Sequence, residues 1–101
     1  MKSLDIPWEK ISQEFSKDMN LLGWNLPIEI FSGGRESLIS IIEKLLKHNP
    51  KMVKELMYRM SINEITLSKS LKNNNLNENA IIIADHIISR SIERINLRNF
   101  Y

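Results

Sequence analysis

Cysteine is absent from these 101 residues. Its absence excludes disulfide scaffolds, thiolate metal sites and cysteine nucleophiles together, and it suits a reducing compartment. Residues 1–8 lack the apolar stretch of a secretory leader, so a cytoplasmic protein is expected. Long apolar runs are missing too. The longest, Ala80 to Ala84, falls far short of the roughly 20 residues a membrane span needs, so no membrane partner is expected. No two histidines stand at metal-ligand spacing. Neither a P-loop nor a Gly-x-Gly-x-x-Gly arrangement occurs. There is no internal repeat, and no heptad pattern is sustained for three turns. Catalysis needs converging groups of shifted acidity, and none is visible in the sequence. The expectation is therefore no enzyme activity, no catalytic residue, no metal, no cofactor and no small-molecule ligand.

Charge of one sign is also scarce. The net charge is only +2, although the isoelectric point is about 9.0. Residues 1–50 carry six basic and seven acidic side chains, and residues 51–101 carry eight and five. Domains that bind nucleic acid usually cluster their cations more densely. The abundance of Asn, Ile and Lys reads as codon bias of an AT-rich genome. Hydrophobic residues at 43% and charged residues at 26% are ordinary for a globular protein. The length suits one domain, residues 1–101, able to bury a core without disulfide or metal.

What the chain does have is helical periodicity. Trp8, Ile11, Phe15, Met19 and Leu22 step by three and four, with Pro7 suited to the first turn and Gly23 to the stop. Leu38, Ile41, Ile42, Leu45 and Leu46 predict a second helix, from Arg35 or Glu36 to about Lys47, with Glu43 and Lys47 well spaced to interact. Asn49 and Pro50 predict the start of a third, with Met52, Val53, Leu56, Met57 and Met60 inward and a Glu55–Arg59 pair outward. Ser61 to Glu64 has the form of a capping box for a fourth helix ending near Lys72. Asn77 is expected to cap the longest helix, which runs to Arg98. Its first half is apolar nearly all round (Ala80 to Ala84, Ile87, Ile88), so other elements should surround it. The segment Trp24–Ser32 breaks the helical period. An extended linker is the preferred reading, and a strand paired across a dimer is the alternative. The fold class is all-α: a compact bundle of four to five helices around a long central C-terminal helix.

Candidate sites are few. His86, Arg90, Arg94 and Arg98 recur every four residues on the last helix. Such a row suits phosphates or an acidic partner surface. The plainer reading is a solvated face that matches the helix dipole, with Arg90 paired to Glu93. A helix-turn-helix over the third and fourth helices has too short a turn and too few base-reading side chains. Ser32 to Arg35 suits an anion, but a simple helix connection explains it better. His86 and Asp85 are helix neighbours pointing about 100° apart, which rules out a base and its orienting partner. The methionines form a core stripe by default and a plastic partner groove as the alternative. Phe100 and Tyr101 place two aromatics together, either tucked into a groove or offered to a partner.

Three stretches carry a resemblance: Leu56-Met57-Tyr58-Arg59-Met60-Ser61-Ile62-Asn63-Glu64, Ala84-Asp85-His86-Ile87-Ile88-Ser89-Arg90, and Arg98-Asn99-Phe100-Tyr101. Together they resemble a group of small, uncharacterised helical proteins of Bacteroidetes-type bacteria. The resemblance implies a bacterial cytosolic protein and brings no activity, ligand or site residue. The expected function is a non-enzymatic protein–protein interaction module, homodimeric, with Arg90, Arg94, Arg98, Phe100 and Tyr101 as partner-binding residues. The alternative is a small nucleic-acid-associated regulator using the same arginines with Lys69 and Lys72. An inhibitor or immunity-type protein docking on an enzyme is a third reading.

Overall fold

The apolar rows wind into helices wherever the sequence repeats every three to four residues. A computed structural model describes residues 6–71 and 75–99. In it α1 spans Trp8–Leu21, α2 Gly34–His48, α3 Pro50–Arg59, α4 Glu64–Leu71 and α5 Leu76–Asn99, with a 3-10 turn at Ile28–Phe31. No strand occurs among the described residues. The expected all-α bundle with a long C-terminal helix is therefore what forms. Its radius of gyration of 13.1 Å matches the value of about 13 Å for a folded chain of this length.

Helix α5 is the post of the bundle. Ala80, Ile83, Ala84, Ile87 and Ser91 are fully buried along it. It packs chiefly on α2 and α1, and on α4 near its start. Packing on three sides explains why its first half is apolar in every direction. Helix α2 contributes Leu38 and Ile42, α3 contributes Leu56, and Met60 follows just after its end. Met57 and Met60 are buried and Met52 is half-buried, as a core stripe requires.

Helix α1 is buried on more than its apolar row. Ile11, Phe15 and Met19 enter the core as expected, but Ser12, Glu14, Ser16 and Asp18 are buried as well. The serines satisfy themselves locally: Ser12 Oγ donates to the Glu9 carbonyl and Ser16 Oγ to that of Gln13, each at 3.0 Å. The two carboxylates need partners from elsewhere.

The segment after α1 is an extended stretch, 24–27, and then the 3-10 turn. Pro27 pushes Leu26 away from helical geometry. Ile30 is fully buried while Ile28 is 79% exposed, so the alternation of this stretch reflects one plug residue and not a strand. The Ile30 carbonyl, lacking a ladder partner, accepts the Trp8 indole N–H at 2.7 Å. The Trp8 ring meets Phe15 edge-on at 5.8 Å. Gly33 follows where a side chain would not fit. A Cβ there would lie 2.6 Å from Ser37 Cβ and 2.9 Å from the Glu29 carbonyl oxygen.

Three expectations about helix ends are corrected. The last helix is capped two residues earlier than expected, at Asn75 and not Asn77. Asn75 Oδ1 accepts from Glu78 N at 2.8 Å, and Glu78 Oε1 accepts from Asn75 N at 3.2 Å, a reciprocal capping box. Ser61 does not open α4, which starts at Glu64. It closes α3 in the left-handed conformation, φ 59°. There Ile62 N donates to Met57 O at 3.0 Å and Ser61 N to Tyr58 O at 3.1 Å, the Schellman pattern. Four residues, 60–63, therefore connect α3 and α4, more than the connection of about one residue expected from the sequence. Arg59 also turns away from Glu55, its expected partner, toward Asp18.

The ends of α1 and α3 share one geometry but not one residue. Gly23, φ 86°, holds the position after α1 that Ser61 holds after α3. A left-handed non-glycine residue costs about 1 kcal/mol or slightly more. Ser61→Gly should therefore raise stability by about 1 kcal/mol, and Gly23→Ala should lower it by a similar amount. Urea unfolding of the two variants checks both signs.

Candidate functional site

Spacing of four residues puts Arg90, Arg94 and Arg98 on one face of α5. The same spacing puts Glu14 and Asp18 on one face of α1. In the folded chain the two rows meet in opposite directions. Arg98 donates to Glu14, and one turn further along Arg94 Nη1 donates to Asp18 Oδ2 at 2.6 Å. A rise of four on α1 thus matches a fall of four on α5, which is the register of an antiparallel pair. Both carboxylates are nearly enclosed, with side-chain exposures of 6% for Glu14 and 11% for Asp18. The hydrogen bond to Glu14 holds the Arg98 guanidinium above its ordinary pKa. That contribution is complete at any pH below the ordinary guanidinium range, so it is constant across physiological pH.

The arginines also close the end of α3. Arg94 Nη2 donates to the Arg59 carbonyl at 3.1 Å, and Arg90 Nε donates to the Met60 carbonyl at 2.8 Å. Helix C-termini leave such carbonyls without partners inside the helix. Arg59 then reaches Asp18 with Nε at 3.5 Å. Arg90 Nη1 bonds Glu93 at 2.9 Å, the pairing expected from the sequence. On the far side of α5, Arg35 grips Asp85 with two bonds, 2.7 and 3.0 Å long. That pair raises the Arg35 pKa through its hydrogen bond and its charge. Asp85 is thereby committed to α2.

The candidate partner-binding residues are thus placed as follows. Arg90, Arg94 and Arg98 are each tied to a carboxylate of the same chain. Phe100, Tyr101 and Lys72 lie outside the described residues. Lys69 is exposed on α4, whose outward face carries Ile65 at 69% exposure. His86 is half-buried beside Ser61, Ser89 and Glu93 in a hollow of about 290 Å³. His48 is exposed at the end of α2. Among the described residues no three His, Asp or Glu side chains group as metal ligands. Among the same residues no helix is long and apolar enough to cross a membrane.

A larger feature lies between α3 and α4. An open groove of about 1260 Å³ separates them, floored by Val53, Met57, Leu67 and Ile83 and flanked by Leu22, Leu46, Ile62 and Leu71. Tyr58 stands at its edge, 85% exposed. Lys51 and Lys54 line it, and neither has an ion-pair partner among the described residues. The groove exists because α4 is anchored mainly on α5, with Leu67 its buried residue among those described. Sequence reasoning offered a methionine-lined groove on the third helix as the alternative to a core stripe, and Met57 is the one of those methionines that lines it. Tyr58, a lone aromatic opposite the apolar stripe of α3, was a further signal.

No protein-family model, no curated protein and no solved structure matches this chain.

Removing one partner from a buried charge pair leaves the other charge stranded. Arg94→Ala should cost about 2–3 kcal/mol, scaled down from a fully buried pair because Arg94 keeps some exposure. Asp18→Ala/Arg94→Ala should cost clearly less than the sum of the single changes. A double-mutant cycle by chemical denaturation measures the coupling. Additive losses would show that the pair is incidental.

Proposed function

We propose that this chain is a non-enzymatic protein-interaction module that receives a partner segment in the α3–α4 groove. The single observation that carries the reading is the open groove of about 1260 Å³ with an apolar floor and an exposed tyrosine at its edge. Its volume exceeds the roughly 300–1,000 Å³ of small-molecule pockets. Apolar surface collected in a concave strip is what helix-in-groove recognition uses. A mostly exposed Tyr58 fits this use, since tyrosine is favoured where binding energy concentrates.

The arginine row supports the reading indirectly. Arg90, Arg94 and Arg98 would have to leave Glu93, Asp18 and Glu14 before they could reach phosphates. Lys51 and Lys54, in contrast, lie at the groove with no ion-pair partner among the described residues. A homodimer through Phe100 and Tyr101 is a separate interaction, independent of the groove. Light scattering tests it: a dimer mass lost in Phe100→Ala/Tyr101→Ala supports that interface, and an unchanged mass removes it.

The groove itself is tested by photo-crosslinking in cells. A crosslinking amino acid replaces Lys54 in the groove or Ser40, an exposed residue of α2 outside it. A discrete protein adduct from position 54, absent from position 40 and lost with Tyr58→Ala, is the expected result. Identical adducts from both positions, or none from position 54, would contradict the groove as the interaction surface.

A further inference from the structure

The proposed interaction leaves open what the partner segment is made of, and the charges around the groove are informative. Lys51 and Lys54 sit one turn apart on α3 at the groove wall, exposed and unpaired among the described residues. The opposite side, on α4, is lined by Leu67, Ser68 and Leu71, while Lys69 lies on the outward face of that helix. Glu55 is the one carboxylate among the described lining residues, and Arg59 is already paired with Asp18. The groove is therefore apolar at its floor and positive at its rim.

We infer that the occupant is an amphipathic helix of a partner protein, with one apolar face and acidic residues flanking it. This inference rests on the interaction reading above. Leucine-type side chains spaced at i, i+3 or i+4 and i+7 would lie on Val53, Met57 and Leu67. Glutamates beside them would meet Lys51 and Lys54 on the α3 wall. A second copy of this chain is a poor occupant. The C-terminal half of the chain carries a positive balance, eight basic against five acidic residues. On α1, Glu14 and Asp18 are buried against arginines and cannot offer an acidic face. Nucleic acid fits worse than an acidic helix, because its backbone presents charge and no apolar ridge for the floor.

Four probes separate these cases: a synthetic amphipathic peptide of roughly 18 residues with a leucine face and glutamate flanks, the same peptide with lysine for every glutamate, a short mixed-sequence DNA duplex, and unlabelled protein itself. Amide NMR shifts locate each on the protein, and anisotropy of the labelled peptides measures affinity. The acidic peptide should shift amides of residues 51–58 and 67–71 and bind more weakly as salt rises. Lys51→Glu/Lys54→Glu should weaken it by about tenfold, and Lys51→Gln/Lys54→Gln by less. Both positions changed are exposed on one face of α3, and far-ultraviolet circular dichroism confirms that the variants fold.

Equal binding of the acidic and basic peptides at the groove would overturn the acidic chemistry and leave the interaction reading standing. Unchanged affinity in both lysine variants would overturn it as well. Groove shifts with DNA but not with the acidic peptide would assign the rim to phosphate instead. No groove shift with any probe would end the inference, while crosslinking from position 54 would still decide the interaction reading.

Discussion

The arrangement depends on one interaction: two carboxylates of α1 buried against two arginines of α5. Asp18 and Glu14 are carried into a largely apolar interface, where an unpaired charge is very costly. Arg94 and Arg98 make that burial tolerable, and only in one register. A shift of α5 by one residue would rotate the arginines about 100° away from α1. Apolar packing is forgiving about such sliding, because isoleucines and leucines fit many neighbours. The ion pairs act as the specific constraint on a permissive core, in the way that buried polar groups set register in some helical assemblies.

The same constraint organises α3. Arg94 and Arg90 bond the carbonyls of Arg59 and Met60, so the end of α3 is closed by α5 as well as by its own Schellman turn. Asp18 draws Arg59 into the network. Helices α1, α3 and α5 are thereby joined at one end of the bundle, with α2 held to α5 at Arg35 and Asp85. Helix α4 takes no part in the ion pairs found among the described residues. It leans on α5 through Leu67 and leaves a groove between itself and α3. The positive charges divide accordingly. Arginines hold the fold together, and the lysines at positions 51 and 54 remain free at the groove.

Much of this fold was legible in the amino-acid sequence. Period-3.6 rows locate the five helices to within a few residues, and the all-round apolar start of α5 marks it as the central element. Gly23 and Pro50 mark a stop and a start because each satisfies a backbone condition that few residues meet. Other features were not legible. Asn75 and Asn77 are equivalent caps by composition, and only the bond to Glu78 chooses between them. Ser61 reads as an N-cap because serine rarely accepts a left-handed backbone. The arginine row looks like a solvated or partner-binding face for as long as α1 is not known to lie opposite. Its signal was present as two rows of opposite charge, each spaced by four, yet no local rule says that two helices meet. The groove was least legible, since it arises where α4 packs mainly on α5 and little on α3.

A unit tied by buried charges and a helix left at its edge should differ in local stability. Native-state hydrogen exchange resolves this residue by residue. Amides of α1, α5 and the end of α3 should exchange only through global unfolding, and those of α4 through a smaller opening that leaves the rest folded. Equal protection of α4 and α5, with every amide following the global transition, would contradict the account of a locked core with a separable groove wall.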